Sequence, residues 1–193
     1  MSNKLHFPLS DVCLKMNPPS TKPGRSFFFK ANKFGKAYSP WASLGHLFFG
    51  LPVSKFISYS APVNSPLNGK VMSILSDRPD REYMNLFVDL FRYGRLENLD
   101  SMNHVLIANE FFQVKLYGFM QNSMDLSVGD EVLEADFLGK IGAQVGLVQP
   151  GIWIEVFDSA QRKISFGFKD LIYLKDNKNI EGLPRQASLF QAQ

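Results

Sequence analysis

The residues of this chain best suited to chemistry are few and far apart. Its three histidines are His6, His46 and His104, and its one cysteine is Cys13. A zinc site wants three nitrogen or oxygen side-chain ligands plus a water, or a set of cysteine thiolates. A single cysteine supplies neither that set nor an intrachain disulfide framework. No G-x-S-x-G elbow, Walker loop or G-x-G-x-x-G accompanies a strand-to-helix pattern. Gly139, Gly142 and Gly146 read as turn glycines, not as a phosphate cradle. Lys140, between Gly139 and Ile141, is a poor match to the hairpin-tip lysine of a lipoyl or biotinyl carrier.

The stretch that organises the chain is Pro150-Gly151-Ile152-Trp153-Ile154-Glu155-Val156-Phe157-Asp158. As a strand it sends successive side chains to opposite faces. Ile152, Ile154 and Val156 then form an apolar, core-facing row. Gly151, Trp153 and Glu155 form the other row, either a solvent face or the wall of a groove.

Composition sets the frame for that strand. With 193 residues, 45% of them hydrophobic, the chain can bury one sizeable core. Eighteen Phe, 14 Gly and 11 Pro favour a β-rich domain over a helical bundle. A formal charge of +3 without a dense Lys/Arg stripe argues against nucleic acid as a partner. No apolar run is long enough to span a membrane as a helix, and the N-terminus lacks the apolar core of a secretory signal. The expected location is therefore the cytoplasm.

In chain order, residues 1 to about 25 read as an N-terminal arm, because Pro18-Pro19-Ser20-Thr21-Lys22-Pro23-Gly24 is linker chemistry. A β domain over 26–175 follows. Its expected strands include Phe27-Phe28-Phe29, Phe34 to Tyr38, Leu47 to Leu51, Val71 to Leu75, Val105 to Ala108 and Phe111 to Tyr117. Asn68-Gly69 is the best local hairpin signal, since both residues tolerate positive φ. Asn109-Glu110 is a second hairpin turn, and Ser127 to Val132 a tight turn into a strand. From about 77 to 102 the pattern lapses. Tyr83, Leu86, Phe87, Leu90 and Phe91 fall near helical spacing with Asp80 as a cap, so an insertion with one short helix is expected. Residues 176–193 turn polar and read as a C-terminal tail.

Several motifs in one order resemble the LytM/lysostaphin-type zinc endopeptidases. Ala61-Pro62-Val63-x-x-Pro66-x-x-Gly69-x-Val71 is similar to that family's "pV-x-AP-x-dG-x-V" strand entry. Asn103-His104-Val105-Leu106-Ile107 resembles "GN-h-V-x-i". Val128-Gly129-Asp130-x-Val132 and Phe137 to Gly142 resemble "vGd-x-V-x-x-Gq-x-iG-x-vG", and Pro150 to Val156 falls in register with "PHLHFEV". The resemblance runs from about Phe27 to Leu174. It implies an all-β fold, a compact, mostly antiparallel sheet or barrel of the duplicated hybrid-motif kind, in a bacterial protein.

The family's zinc is held by a His and an Asp near the first strands and by the second His of a His-x-His pair. Such a pair works because i and i+2 share a strand face. Here the His-x-His positions hold Gly151 and Trp153, the Asp position falls near Pro52, and the additional catalytic His corresponds to Phe119. None of these four side chains can ligate zinc. Only His46 remains as a candidate for the first ligand, and one imidazole does not make a three-ligand site. His46 and His104 read as structural histidines. The resemblance therefore implies a pseudoenzyme without zinc or any other cofactor. The former groove, marked by His46, Pro52, Phe119, Gly151, Trp153 and Glu155, would bind a protein or small ligand, or be filled by the chain's own insertion. The alternatives are an active hydrolase or peptidase with displaced ligands, or a structural component of a larger assembly.

One further motif lies in the tail. Gln186-Ala187-Ser188-Leu189-Phe190 resembles the Q-x-[SD]-L-F peptide by which bacterial proteins dock on the DNA-polymerase sliding clamp. Leu189 and Phe190 would be its apolar anchors. The competing reading is a tail that packs on its own domain.

Overall fold

The computed structural model describes residues 4–15, 24–38, 49–85, 88–89, 91, 99–145, 147, 149–169, 171–180 and 182–192. These form the all-β fold expected. Fifteen strands are described: β1 Lys4–Leu5, β2 Cys13–Lys15, β3 Arg25–Lys30, β4 Leu51–Pro52, β5 Pro62–Asn64, β6 Gly69–Leu75, β7 Tyr83–Met84, β8 His104–Ala108, β9 Phe112–Tyr117, β10 Glu131–Val132, β11 Phe137–Lys140, β12 Ile152–Asp158, β13 Gly167–Phe168, β14 Leu171–Tyr173 and β15 Leu189–Ala192. Nine of them make one sheet in the order β10-β6-β8-β9-β12-β3-β2-β15-β14, antiparallel throughout. Three two-stranded pairs, β1-β13, β5-β11 and β4-β7, flank it.

The organising stretch becomes β12, at the centre of the sheet between β9 and β3. Its alternation is as expected, yet both of its faces are covered. Ile152, Ile154 and Val156 join Phe28, Val114 and Leu116 in the main core. Trp153 joins Phe27, Phe29, Tyr117 and Leu147 in a second apolar cluster on the other side. A strand buried on both faces needs a long apolar run, and Ile152 to Phe157 is interrupted only by Glu155.

The expected arm and tail are corrected by the structure, because both contribute strands to this fold. Leu5, Phe7, Leu9 and Cys13 are buried. The ring of Phe7 packs edge-on to Phe28 at 5.3 Å, Phe168 at 4.9 Å and Phe190 at 5.1 Å. Such edge contacts are favourable beyond the area they bury. The Leu5-x-Phe7-x-Leu9 alternation was available in the sequence, but the proline-rich segment after it drew the boundary in the wrong place. Phe190, in the polar tail, is the partner that closes this aromatic cluster.

Several local readings also change. Asn68-Gly69 is not a hairpin, since β5 pairs with β11 while β6 pairs with β8 and β10. Gly69 is needed for close approach, as a Cβ there would lie 2.6 Å from the Ala108 carbonyl oxygen. The Asn109 turn does join β8 to β9, with the Asn109 side chain accepting from the amides of Phe111 and Phe112. The turn into β10 is also present, with Gly129 at φ +102. Phe34 and Phe49 are exposed, so neither lies in a buried strand, and Leu47 and Phe48 are outside the described residues. Of the expected helix in the insertion, Tyr83 lies in strand β7 instead, Val88, Asp89 and Phe91 are helical, and Leu86, Phe87 and Leu90 lie outside the described residues. Asp80 is not its cap. It accepts hydrogen bonds from the backbone of Gln121 and Ala143 and from Gln144 Nε2, tying the insertion to the neighbouring turns.

Candidate functional site

At Gly151, the first of the two positions expected to correspond to a His-x-His pair, there is no room for a side chain. A Cβ at Gly151 would sit 2.6 Å from the carbonyl oxygen of Phe28 and would run into the Phe27 ring. Any side chain at 151 must therefore displace backbone or an aromatic core residue. Trp153 stacks at 5.0 Å, tilted, on Phe27, and its indole is buried among Met84, Leu99, Met102 and Leu147. Met84 and Leu99 belong to the insertion, so the chain itself covers the Trp153 end of this face. The indole Nε1 finds no hydrogen-bond partner among the described residues.

Phe119 does not share that surface, contrary to the expected groove lined by both aromatics. Had β9 continued regularly, residue 119 would follow Tyr117 on the Trp153 side. Gly118, at φ +105, turns the backbone, and Phe119 enters the main core opposite Ile141 instead. Pro52 sits in β4, paired with Tyr83. His46 lies outside the described residues. His104 is buried beside Tyr117, and its Nδ1–H donates to the Met102 carbonyl at 2.8 Å. Burial lowers its pKa and favours the neutral ring. These residues do not fit a zinc ion, and no group of three His, Cys, Asp or Glu able to hold a metal occurs among the described residues.

The same face changes character two residues further on. Glu155 is almost fully buried, yet it is a charge with both carboxylate oxygens hydrogen-bonded. Its Oε1 accepts from Arg25 Nε and from Lys163 Nζ, each at 2.5 Å, and its Oε2 accepts from the Tyr117 hydroxyl at 2.7 Å. Burial raises the pKa of this carboxyl, but the hydrogen bonds from Lys163, Tyr117 and Arg25 outweigh it and hold the group below the ordinary carboxylate value. Burial, together with the bond to Glu155, pushes the Tyr117 phenol far up, so it stays a donor. Beside them Lys115 Nζ meets Asp100 Oδ1 at 2.7 Å, and that contact lowers the pKa of Asp100.

This polar group floors an open pocket of about 330 Å³. Of the sequence candidates among the described residues, only Glu155 lines it. Tyr117 and Lys115 were reachable from the alternation of β9 once its register with β12 is known. Arg25 and Lys163 carry no local signal, because one comes from across the sheet and the other from a turn after β12.

The clamp-like pentapeptide is also placed by the fold. Gln186 is exposed, but Phe190 is completely buried, and Leu189 and Phe190 pair with Leu14 and Cys13. In the folded chain Phe190 is a core residue and is not presented as a peptide anchor.

No family model matches the chain, and no curated protein matches it by sequence. Among solved structures it is similar to the M23 metalloprotease pseudoalterin from the deep sea, at 12% identity and a TM-score of 0.48, over 96% of this chain and 94% of that one. It is also similar to a zinc-containing peptidase from Vibrio cholerae, at 15% identity and a TM-score of 0.46, over 84% of this chain. The chain spans only 39% of that peptidase's length. Lysostaphin is a third, at 14% identity and a TM-score of 0.38, over 64% of this chain and 42% of that one. The likeness lies in the architecture.

Proposed function

We propose that this protein is a catalytically inactive relative of the lysostaphin/LytM-type peptidases that acts as a binding or scaffolding module. The observation that carries the reading is at Gly151 and Trp153. The strand positions resembling the family's ligand pair hold one residue that tolerates no side chain and another built into an apolar cluster. The wet metal site is replaced by packing among Phe27, Met84, Leu99 and Trp153. The binding surface on this reading is not an aromatic groove, because Phe119 and Trp153 are buried in separate clusters. It is the open, charged half of the same sheet face, around Glu155.

Metal-stripped protein soaked with zinc and washed tests this by elemental analysis, alongside hydrolysis of a fluorogenic peptide library. Zinc well below one ion per chain and background cleavage are expected. Stoichiometric, tightly held zinc, or zinc-dependent cleavage, would overturn the reading.

A further inference from the structure

Register shows how the sheet face continues past Trp153. Trp153, Glu155 and Phe157 of β12 stand opposite Tyr117, Lys115 and Gln113 of β9, and Glu155 also stands opposite Arg25 of β3. Directly opposed residues share a face, so these side chains project to one side. At the Trp153 end Met84, Leu99 and Met102 close that side. At the Glu155 end it opens into the pocket of about 330 Å³, a volume at the small end of ligand sites.

The charged lining of the pocket is Arg25, Lys115 and Lys163 against Asp100 and Glu155, leaving one positive charge in excess. Glu155 already accepts from Arg25, Lys163 and Tyr117 on its two oxygens. Arg25 is not similarly satisfied. It spends only its Nε on Glu155, and its terminal nitrogens have no hydrogen-bond partner among the described residues. The guanidinium lies 5.9 Å from the Trp153 ring, and its side chain is 11% exposed. It is thus fixed by a carboxylate on one edge and an aromatic ring beside it. A planar fork held this way is preorganised for two-oxygen recognition.

We infer that this pocket binds an oxyanion, a carboxylate or phosphate group, received by the terminal nitrogens of Arg25 with Lys115 and Lys163 beside it. Gln113 and Gln161 on the rim can donate further hydrogen bonds to the anion or its carrier, while Leu106 and Phe157 supply apolar contact. The ligand is then a small anionic group with an apolar neighbour. This deepens the proposed function, and it rests on that reading for taking the face as a binding surface and not a hydrolytic one.

The test is an NMR titration of the full chain with sodium phosphate and, separately, sodium acetate, at ionic strength held constant with chloride. Saturable shifts are expected at the amides of Lys115, Tyr117, Glu155 and Lys163, and the tighter of the two anions identifies the preferred chemistry. Arg25→Lys keeps a cation against Glu155 but loses the fork, and is expected to weaken binding about tenfold. If that variant does not fold, Lys115→Gln, which leaves the Glu155 contacts in place, carries the test and should also weaken binding. No saturable shift with either anion, a response that chloride reproduces, or unchanged affinity in the folded variants would sink the site. Failure here leaves the non-catalytic reading intact, whereas zinc-dependent peptide cleavage would sink that reading whether or not the anion binds.

Discussion

The ring of Phe27 occupies the space that a side chain at residue 151 would need. Phe27 and Trp153 are directly paired across β3 and β12, so this one contact fixes both the packing of the tryptophan and the identity of Gly151. Gly151→Ala should therefore destabilise the protein by about 1–3 kcal/mol through overpacking. Thermal unfolding of the variant checks it. A melting temperature equal to wild type would mean that Phe27 yields freely and that the position is not closed.

Tyr117→Phe removes the donor to Glu155 Oε2 and a longer, 3.5 Å contact to Asp100 Oδ1. A buried acceptor left one bond short costs about 1–3 kcal/mol. Urea denaturation should show a lower midpoint with an unchanged slope. An unaffected midpoint would place water, not the phenol, as the effective partner of that oxygen.

The lowered pKa of Glu155 makes a prediction with a definite sign. A carboxyl whose folded pKa is depressed adds stability that is fully present above the unfolded value, 4.5, and is lost as pH falls through the folded value. Wild-type stability should thus drop as pH is lowered below about 4.5, and Glu155→Gln should flatten that part of the profile. At neutral pH the same variant should lose several kcal/mol, because Arg25 and Lys163 are left facing each other without their counter-charge. An acid profile identical in both proteins would show that other carboxylates dominate.

Phe190→Ala separates a core residue from a docking anchor. With Phe7 and Phe28 packed on the ring, the substitution should cost about 3–5 kcal/mol. Gln186→Ala, at an exposed position of the same pentapeptide, should cost far less stability than Phe190→Ala. The opposite pattern, stable variants that both lose binding to the purified sliding clamp, would restore the peptide reading.

By itself the sequence determined the all-β class, the alternation of β12, the Asn109 and Gly129 turns, and that neither Gly151 nor Trp153 can ligate a metal. These are local properties, readable because a strand has a period of two and because glycine and tryptophan offer zinc no donor. Tertiary structure alone decided which residues stand beside that strand. It brought Arg25 from β3 and Lys163 from a later turn onto Glu155, because partners across a sheet are set by register and not by sequence distance. It drew Phe7 and Phe190 out of segments that composition had assigned to solvent, because one fully buried aromatic ring can hold a polar stretch of chain in place. It also turned Phe119 away from Trp153 through a single positive φ at Gly118, a backbone reversal that no residue pattern announces.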